Sequence, residues 1–507
     1  MKIPATFLFF SWILTWPAWL AGGEVGDSRR SNFLTIGGGY SPYGNQISLE
    51  KNVHYFKRVL EGLGKGDAPH GIFFADGNSP GRDLQYYDPE YKLPEINEYL
   101  ALFTGYTKGL WDQYRSHDLK TDGPAKTGIV RKWFNSEGAK LSPEEDHLLL
   151  YFTGHGGRGE KKKKHNTKMY LWMHDDFRVD GFVEELDKLP PELPVTMVMV
   201  QCYSGGFSNV IFKEGDPAKG LSDHNRAGFY ATVSSRVAAG CTPEINEENY
   251  REYSTYFWEA LYGQSRTGKK VEKPDYNKDG VTSYSEAHAY TILHSRTIDI
   301  PVKTSDAFLR KFSGTKPKEK NKKIPGLLTA DSPYPSLLEL AGPNEKAILQ
   351  GLSQELGLKG NNRGKATRDL AGKFKAEKDK IKREQQKTDD TLGDIEDEMK
   401  ELIGQYWPEA LSPFHPVTAS LISGKDGDEL LGRIKRHRDF KRYNDLDRKL
   451  EQLDNRAHEQ ERKWVKCQRL LRALENVALE ANLPKFTKDC SVLDRYKQLV
   501  ALEGGSL

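Results

Sequence analysis

Two residues able to make and break acyl bonds stand at the ends of two apolar runs. The first run, DHLLLYFTGHGG, ends on His155 and Gly156, and the second, PVTMVMVQCYSGGF, ends on Cys202. They lie 202 − 155 = 47 positions apart, with the imidazole first. A cysteine sulfur attacks a carbonyl and an imidazole moves the protons, so the pair is minimal equipment for acyl transfer. Taken singly, a cysteine at a strand end reads as a small buried hydrophobe, and a histidine beside glycines reads as a loop residue. It is their joint placement that carries the functional reading.

The elements needed to position them follow from the same residues. Leu148 to Phe152, and Val195 to Val200 apart from Thr196, are continuously apolar, as in strands buried on both faces of a parallel sheet. Between them Val179 to Leu189 reads as a helix with Phe182, Val183 and Leu186 on one face. A strand–helix–strand crossover makes the two strands parallel. Reacting groups in open α/β sheets gather at the carboxyl ends of strands, where both residues sit. Gly154, Gly156, Gly157, Gly205 and Gly206 permit close approach of a substrate backbone and leave N–H groups for a developing oxyanion. Gly154, Gly156 and Gly159 also fit the dinucleotide pattern G-x-G-x-x-G. The charged stretch EKKKKHNTK follows, where that pattern needs a helix N-terminus, and this excludes it.

YFTGHGG and QCYSGGF resemble the histidine and cysteine motifs of the caspase–legumain–metacaspase–gingipain clan of cysteine peptidases, and most of all the legumain-like peptidases of bacteria. A histidine about 50 residues before its cysteine is also the caspase order. The resemblance spans roughly residues 32 to 307. It implies a caspase-like three-layer α/β/α sandwich with a mostly parallel sheet. It further implies Cys202 as nucleophile, His155 as proton donor to the leaving amine, and the N–H groups of Gly156 and Cys202 as oxyanion hole. Clan members often carry an acid or Gln two places before the cysteine, but here Val200 stands there and Gln201 follows. That departure removes one route to basic specificity. The clan lines its primary pocket from the strand after the cysteine, which makes Ser234, Ser235 and Glu244 the substrate-pocket candidates. Asp76, Arg82 and Asp83 are further ones.

A chain of 507 residues should hold two or more domains. With 75 basic and 72 acidic residues, nothing in the net charge of +3 indicates a nucleic-acid binder. Lys161 to Lys164 read as a solvated loop. Residues 1–23, with an apolar run from Ala5 to Leu20, read as a secretory signal peptide, and an uncleaved anchor is the alternative. A secreted or periplasmic protein is the expectation. If Cys202 is the nucleophile, Cys241, Cys467 and Cys490 remain, with their pairing open.

Residues 32–312 read as the peptidase domain, with strands at 32–37, 71–75 and 227–234 and helices at 49–63, 127–134 and 250–261. Within PDYNKDGVTSYSE, Asp275, Asn277, Asp279, Val281, Ser283 and Glu286 occupy ligand positions of a calcium loop, with Gly280 at the sharp turn. Calcium is the expected structural cofactor. The competing reading is a polar turn followed by a Ser283–Glu286 capping box. Residues 313–330 read as a linker, and 331–507 as an α-helical, coiled-coil hairpin region. In its first helix Ala371, Phe374, Ile381, Leu392, Ile395, Met399, Leu402 and Tyr406 keep heptad spacing. In the second, residues from Tyr443 to Ala478, Cys467 among them, alternate by three and four. This region could bind a partner, self-associate or cover the site. The expected function is an exported cysteine endopeptidase acting on protein or peptide substrates. A silent scaffold with a partner-binding arm and a transpeptidase using the same dyad are the alternatives.

Overall fold

The computed structural model describes residues 29–107, 110–313, 324–412, 414–487 and 489–507. The expected signal peptide and residues 314–323 of the expected linker lie outside the described residues. The strands are β1 (Arg30–Gly38), β2 (His70–Phe74), β3 (Leu84–Tyr86), β4 (Gln113–Arg115), β5 (Asp146–Gly154), β6 (Gly156–Gly157), β7 (Lys168–Leu171), β8 (Asp175–Arg178), β9 (Val195–Met199), β10 (Arg226–Tyr230) and β11 (Val302–Lys303). Six of them form one sheet in the order β11-β10-β9-β5-β1-β2. Every neighbouring pair is parallel except β10 with β11. The protein is thus an α/β fold with a mostly parallel sheet and a long helical C-terminal region.

The apolar runs are strands because both faces of the sheet are covered. Along β5, Leu148, Leu150 and Phe152 enter one core and Leu149 and Tyr151 the other. The first core is closed by α3 (Thr127–Ser136), α4 (Val179–Leu186) and α7 (Thr304–Phe312), through Phe134, Phe182 and Phe308. The second is closed by α1 (Ile47–Gly62), α5 (Tyr253–Tyr262) and α6 (Tyr284–His294), through Phe56, Trp258 and Ala287. Each fully buried large side chain contributes about 1.5–3 kcal/mol, enough to override the lack of alternation. β10 stops at Tyr230 rather than running to Ser234. The Thr232 carbonyl accepts the Gly205 N–H (2.7 Å) and the Ser204 hydroxyl (3.3 Å), which takes it out of the ladder.

Beyond the sheet, α10 (Arg363–Tyr406) and α13 (Phe440–Phe486) form an antiparallel hairpin. Lys378 meets Glu461, Lys449 meets Glu384 and Arg438 meets Glu398, a pairing that only opposed directions allow. Ile381, Leu392, Ile395 and Met399 are buried as the heptads predict, but Ile403 takes the place expected for Leu402, and Tyr406 is exposed. An α-helix drifts about 20° per heptad against a strict seven-residue repeat, and the drift shows at its end. Cys467 is fully buried in α13, as its place in the packed stripe predicts. Among the described residues, no helix is long and apolar enough to cross a membrane.

Side chains of the helical region pack onto the sheet-bearing part of the chain. The tip of the hairpin packs Met399, Ile403 and Tyr443 against Ile96, Leu100 and Phe103 of α2 (Glu95–Thr104). Leu479 and Leu483 of α13 and Leu499 of α14 (Cys490–Glu503) belong to the main core. Glu503 is wholly buried and accepts from the Ser305 N–H (2.7 Å) and the Thr304 and Ser305 hydroxyls (both 2.8 Å), with Lys303 Nζ at 3.2 Å. It therefore caps α7 and neutralises a lysine that it helps to bury. Glu503→Ala should lower the unfolding free energy by about 3 kcal/mol, because Lys303 loses its closest acid. A urea titration followed by circular dichroism measures this.

Candidate active site

Strand register brings the two reactive residues to one level. Phe152 of β5 pairs with Met199 of β9. His155 lies three positions beyond the first and Cys202 three beyond the second (155 − 152 = 202 − 199 = 3). Both strands run parallel, so both residues leave the same sheet edge from neighbouring tips about 4.8 Å apart in the ladder. Gly156 packs directly on the cysteine segment: a Cβ there would collide with the Cys202 carbonyl oxygen and with Gln201. Tyr203, next after the cysteine, holds a left-handed φ of 60°, which turns the chain sharply into the segment Ser204–Ile211. The turn is locked by the Tyr203 N–H to the Arg236 carbonyl (2.8 Å) and the Gly205 N–H to Thr232. Gly205 is required there, since a Cβ would sit 2.6 Å from the Thr232 carbonyl oxygen.

The imidazole is held through one ring nitrogen. His155 Nε2 lies 2.8 Å from the Gly44 carbonyl oxygen and 3.0 Å from Gln46 Oε1. A carbonyl only accepts, so Nε2 carries the proton and Nδ1 is left as an unprotonated base. The Tyr40 ring stands edge-on to the imidazole with centroids 5.2 Å apart. Burial pulls the His155 pKa below its ordinary value, opposed by the Gly44 hydrogen bond. The ring is therefore neutral near pH 7.

The thiol is held separately. The Ala238 N–H donates to Cys202 Sγ at 3.3 Å. Burial pushes the thiol pKa up, the Ala238 hydrogen bond opposes this, and the negative charge of Asp299 adds to it. No hydrogen bond joins imidazole to thiol among the described residues. Burial thus favours the uncharged form of each, imidazole and thiol, over an ion pair. Gly156 and Met169 face each other across the β6–β7 ladder, while the flanking Tyr170 N–H binds the His155 carbonyl at 2.9 Å. Hydrogen-bonded and non-bonded pairs alternate in such a ladder, so the Gly156 N–H points away from β7 and is not used there.

The remaining expected residues are spread around this edge. Ser234 is half-buried with its N–H against Gly205, and Ser235 is exposed. The Glu244 carboxylate accepts from the Asn249 amide, and among the described residues no hydrogen bond joins it to Cys202. Arg82 is exposed and Asp76 lies 3.7 Å from His117. Asp83 is buried, and burial pushes its pKa up to about 6. It accepts from the Asn45 amide (3.1 Å), whose oxygen takes the Gly39 N–H (3.0 Å), so Asp83 props the loop that presents Gly44 to His155. Composition gave no signal for Tyr40, Gly44, Gln46, Ala238 or Asp299. The glycine-rich segment GGGYSPYGNQ after β1 was the only hint, since it leaves the same sheet edge.

In the expected calcium loop the Asp275 carboxylate accepts from the N–H groups of Asp279 (3.0 Å) and Gly280 (3.1 Å), and Gly280 turns at φ 86°. The capping box also forms: Ser283 Oγ accepts from the Glu286 N–H, and Glu286 accepts from the Ser283 N–H. Glu286 Oε1 additionally takes the Tyr276 N–H at 2.6 Å. Carboxylates and imidazoles converge more tightly elsewhere, at Glu50, His54 and Asp118 and at Glu398, His437 and Asp439. In the first of these groups Glu50 is already paired with Arg115, and in the second, where only Glu398 is exposed, Arg438 pairs with both Glu398 and Asp439. All four cysteines are free.

No family model matches the chain, and no curated protein matches it.

Burial of the thiol sets its pH response. Iodoacetamide should alkylate Cys202 at a rate that climbs with pH and is still climbing at pH 9. Peptide-resolved mass spectrometry separates it from the exposed Cys490. A reactivity plateau below pH 7 would show a thiolate–imidazolium pair instead.

Proposed function

We propose that the chain is a cysteine peptidase of the caspase–legumain kind, exported, and acting on protein or peptide substrates through Cys202 and His155. The observation that carries this reading is the common level of the two residues at one sheet edge, with Gly156 packed on the cysteine carbonyl. The strand order, which runs β2-β1-β5-β9-β10-β11 from the other edge with only β11 reversed, supports a caspase-like sheet.

In this mechanism the Cys202 sulfur attacks the peptide carbonyl carbon as its proton passes to His155 Nδ1. The tetrahedral oxyanion takes hydrogen bonds from the Gly156 and Cys202 N–H groups. The C–N bond breaks as Nδ1–H gives its proton to the leaving amine. Water then attacks the thioester, losing a proton to Nδ1, and the sulfur leaves with that proton. The Gly44 carbonyl and Gln46 keep Nε2 protonated throughout, so a single nitrogen handles every transfer. Cys202→Ala and His155→Ala should each lower peptide hydrolysis by about a thousandfold or more, while the circular dichroism spectrum is kept. A fluorogenic peptide library reads this out, and retained hydrolysis in Cys202→Ala would overturn the proposal.

The loop from Asp275 to Glu286 is proposed as a structural calcium site, supported by the turn at Gly280 and by Asp275 and Asp279 beside it; Glu286, whose carboxylate here accepts from Tyr276, Asn277 and Ser283, would turn toward the ion on binding. Asn277, the Val281 carbonyl and Ser283 complete the oxygen set. Filling it to a hundredfold above the dissociation constant would add about 2.7 kcal/mol of stability. Differential scanning fluorimetry should therefore show a rise in Tm of several degrees with CaCl2 over EGTA, lost in Asp275→Ala.

A further inference from the structure

The helical hairpin reaches the loop that touches the candidate nucleophile, and it does so at two points. The loop runs from Arg236 to Ala239 after β10. Its main chain is tied to the cysteine turn, with the Arg236 carbonyl accepting the Tyr203 N–H (2.8 Å) and the Ala238 N–H donating to Cys202 Sγ (3.3 Å). Its side chain is tied to the hairpin. The Arg236 guanidinium pairs with Glu461 and lies over the Trp464 ring, 4.9 Å from the centroid, both on α13. Glu461 is fixed in turn by Lys378 of α10.

The second point is deeper. The Ala239 N–H donates to Asp299 Oδ1 at 2.7 Å. Asp299 is buried and belongs to the segment between α6 and β11, which wraps around one side chain of α13. That side chain is Arg469, 3% exposed, which donates to the carbonyls of Asp299 (2.8 Å), Ile292 (2.9 Å), Ser295 (3.0 Å) and Thr297 (3.4 Å) and to the Thr297 hydroxyl (3.0 Å). A buried guanidinium with five oxygen acceptors fixes the segment it threads. Two side chains of one helix eight positions apart, about two turns (469 − 461 = 8), therefore grip both the loop and its support.

We propose that α13 is a positioning element of the Cys202 site: Glu461 and Trp464, acting through Arg236, and Arg469, acting through Asp299, hold the Arg236–Ala239 loop so that the Ala238 N–H stays on the sulfur. This rests on the reading of Cys202 as the nucleophile. A hydrogen bond given to sulfur favours the thiolate, so the hairpin sets how much thiolate the site holds at a given pH. Removing the grip lets the N–H swing away and makes the thiol harder to ionise. The other charged and titratable groups that act on the sulfur or the loop are Cys241, Glu252, Asp299 and Arg469, and the thiol itself lies 3.9 Å from the Ala238 carbonyl oxygen.

The test uses the full chain and reads Cys202 alone, by iodoacetamide alkylation followed across pH with peptide-resolved mass spectrometry. Glu461→Gln removes the charge that holds Arg236, and Trp464→Ala removes the ring beneath it, while neither touches the groups facing the sulfur. Both should move the midpoint of the alkylation profile up by about half to one pH unit, a three- to tenfold slower reaction at pH 7. Glu475→Gln, which breaks the exposed pair with Arg310 farther along α13, should leave the profile in place. Arg236→Lys keeps a cation for Glu461 and should fall between wild type and Trp464→Ala. An unmoved midpoint in both Glu461→Gln and Trp464→Ala, whatever their Tm, would overturn the proposal. So would an equal shift in Glu475→Gln, or a wild-type Cys202 that is not alkylated at all. Alkylation does not depend on peptide hydrolysis. A shifted profile in a protein that cleaves no peptide would therefore keep this inference and remove the peptidase reading.

Discussion

The parallel register of β5 against β9 is the constraint on which the site depends. Phe152 opposite Met199 is what places an imidazole and a sulfur at the same height. In a strand buried on one face, a slip by one residue exposes its apolar side, and that penalty fixes the register. Here both faces are buried, so polarity alone cannot fix it. Shape does. Tyr151 fits between Phe56 (5.1 Å) and Trp258 (5.3 Å) on one face, while Phe152 enters the other core with Leu150 and Met197. Exchanging the faces would set a tyrosine into the space of a leucine or phenylalanine, and overpacking of that kind costs on the order of 1–3 kcal/mol at each position.

The second organising feature is the separation of duties around the imidazole. One ring nitrogen is committed to the loop between β1 and α1, and the other is left for chemistry. That loop is held by Asn45, Asp83 and the close packing of Gly39 on Gly44. Burial favours the uncharged form of both groups, lowering the pKa of the imidazole and raising that of the thiol.

Much of this was legible from the chain and some was not. Continuous apolar runs identified β1, β2, β5 and β9 because double-sided burial leaves a direct trace in sequence. The crossover helix Val179–Leu186 was legible from Phe182, Val183 and Leu186 for the same reason. His155 and Cys202 were legible because strand ends carry them. Residues that act through the backbone left no such trace. The Gly44 carbonyl and the Ala238 N–H belong to every residue type, and only folding brings them to His155 and Cys202. β10 is shorter than its sequence suggests because Thr232 and Val233 are β-branched residues that suit a strand, while the donors that capture the Thr232 carbonyl, Gly205 N–H and the Ser204 hydroxyl, lie elsewhere in the chain. The return of α14 to the main core was equally hidden, since an amphipathic helix does not announce its partner.

That return has a temporal meaning. Lys303 and the first turn of α7 are completed by Glu503, and Leu499 closes part of the core beneath β10. During synthesis about 200 residues separate β11 from the carboxylate that satisfies it (503 − 303 = 200). The β10–β11 side of the sheet therefore gains its buttress only by closing a chain loop of that length, a contact of long sequence separation that comes late and slowly in folding.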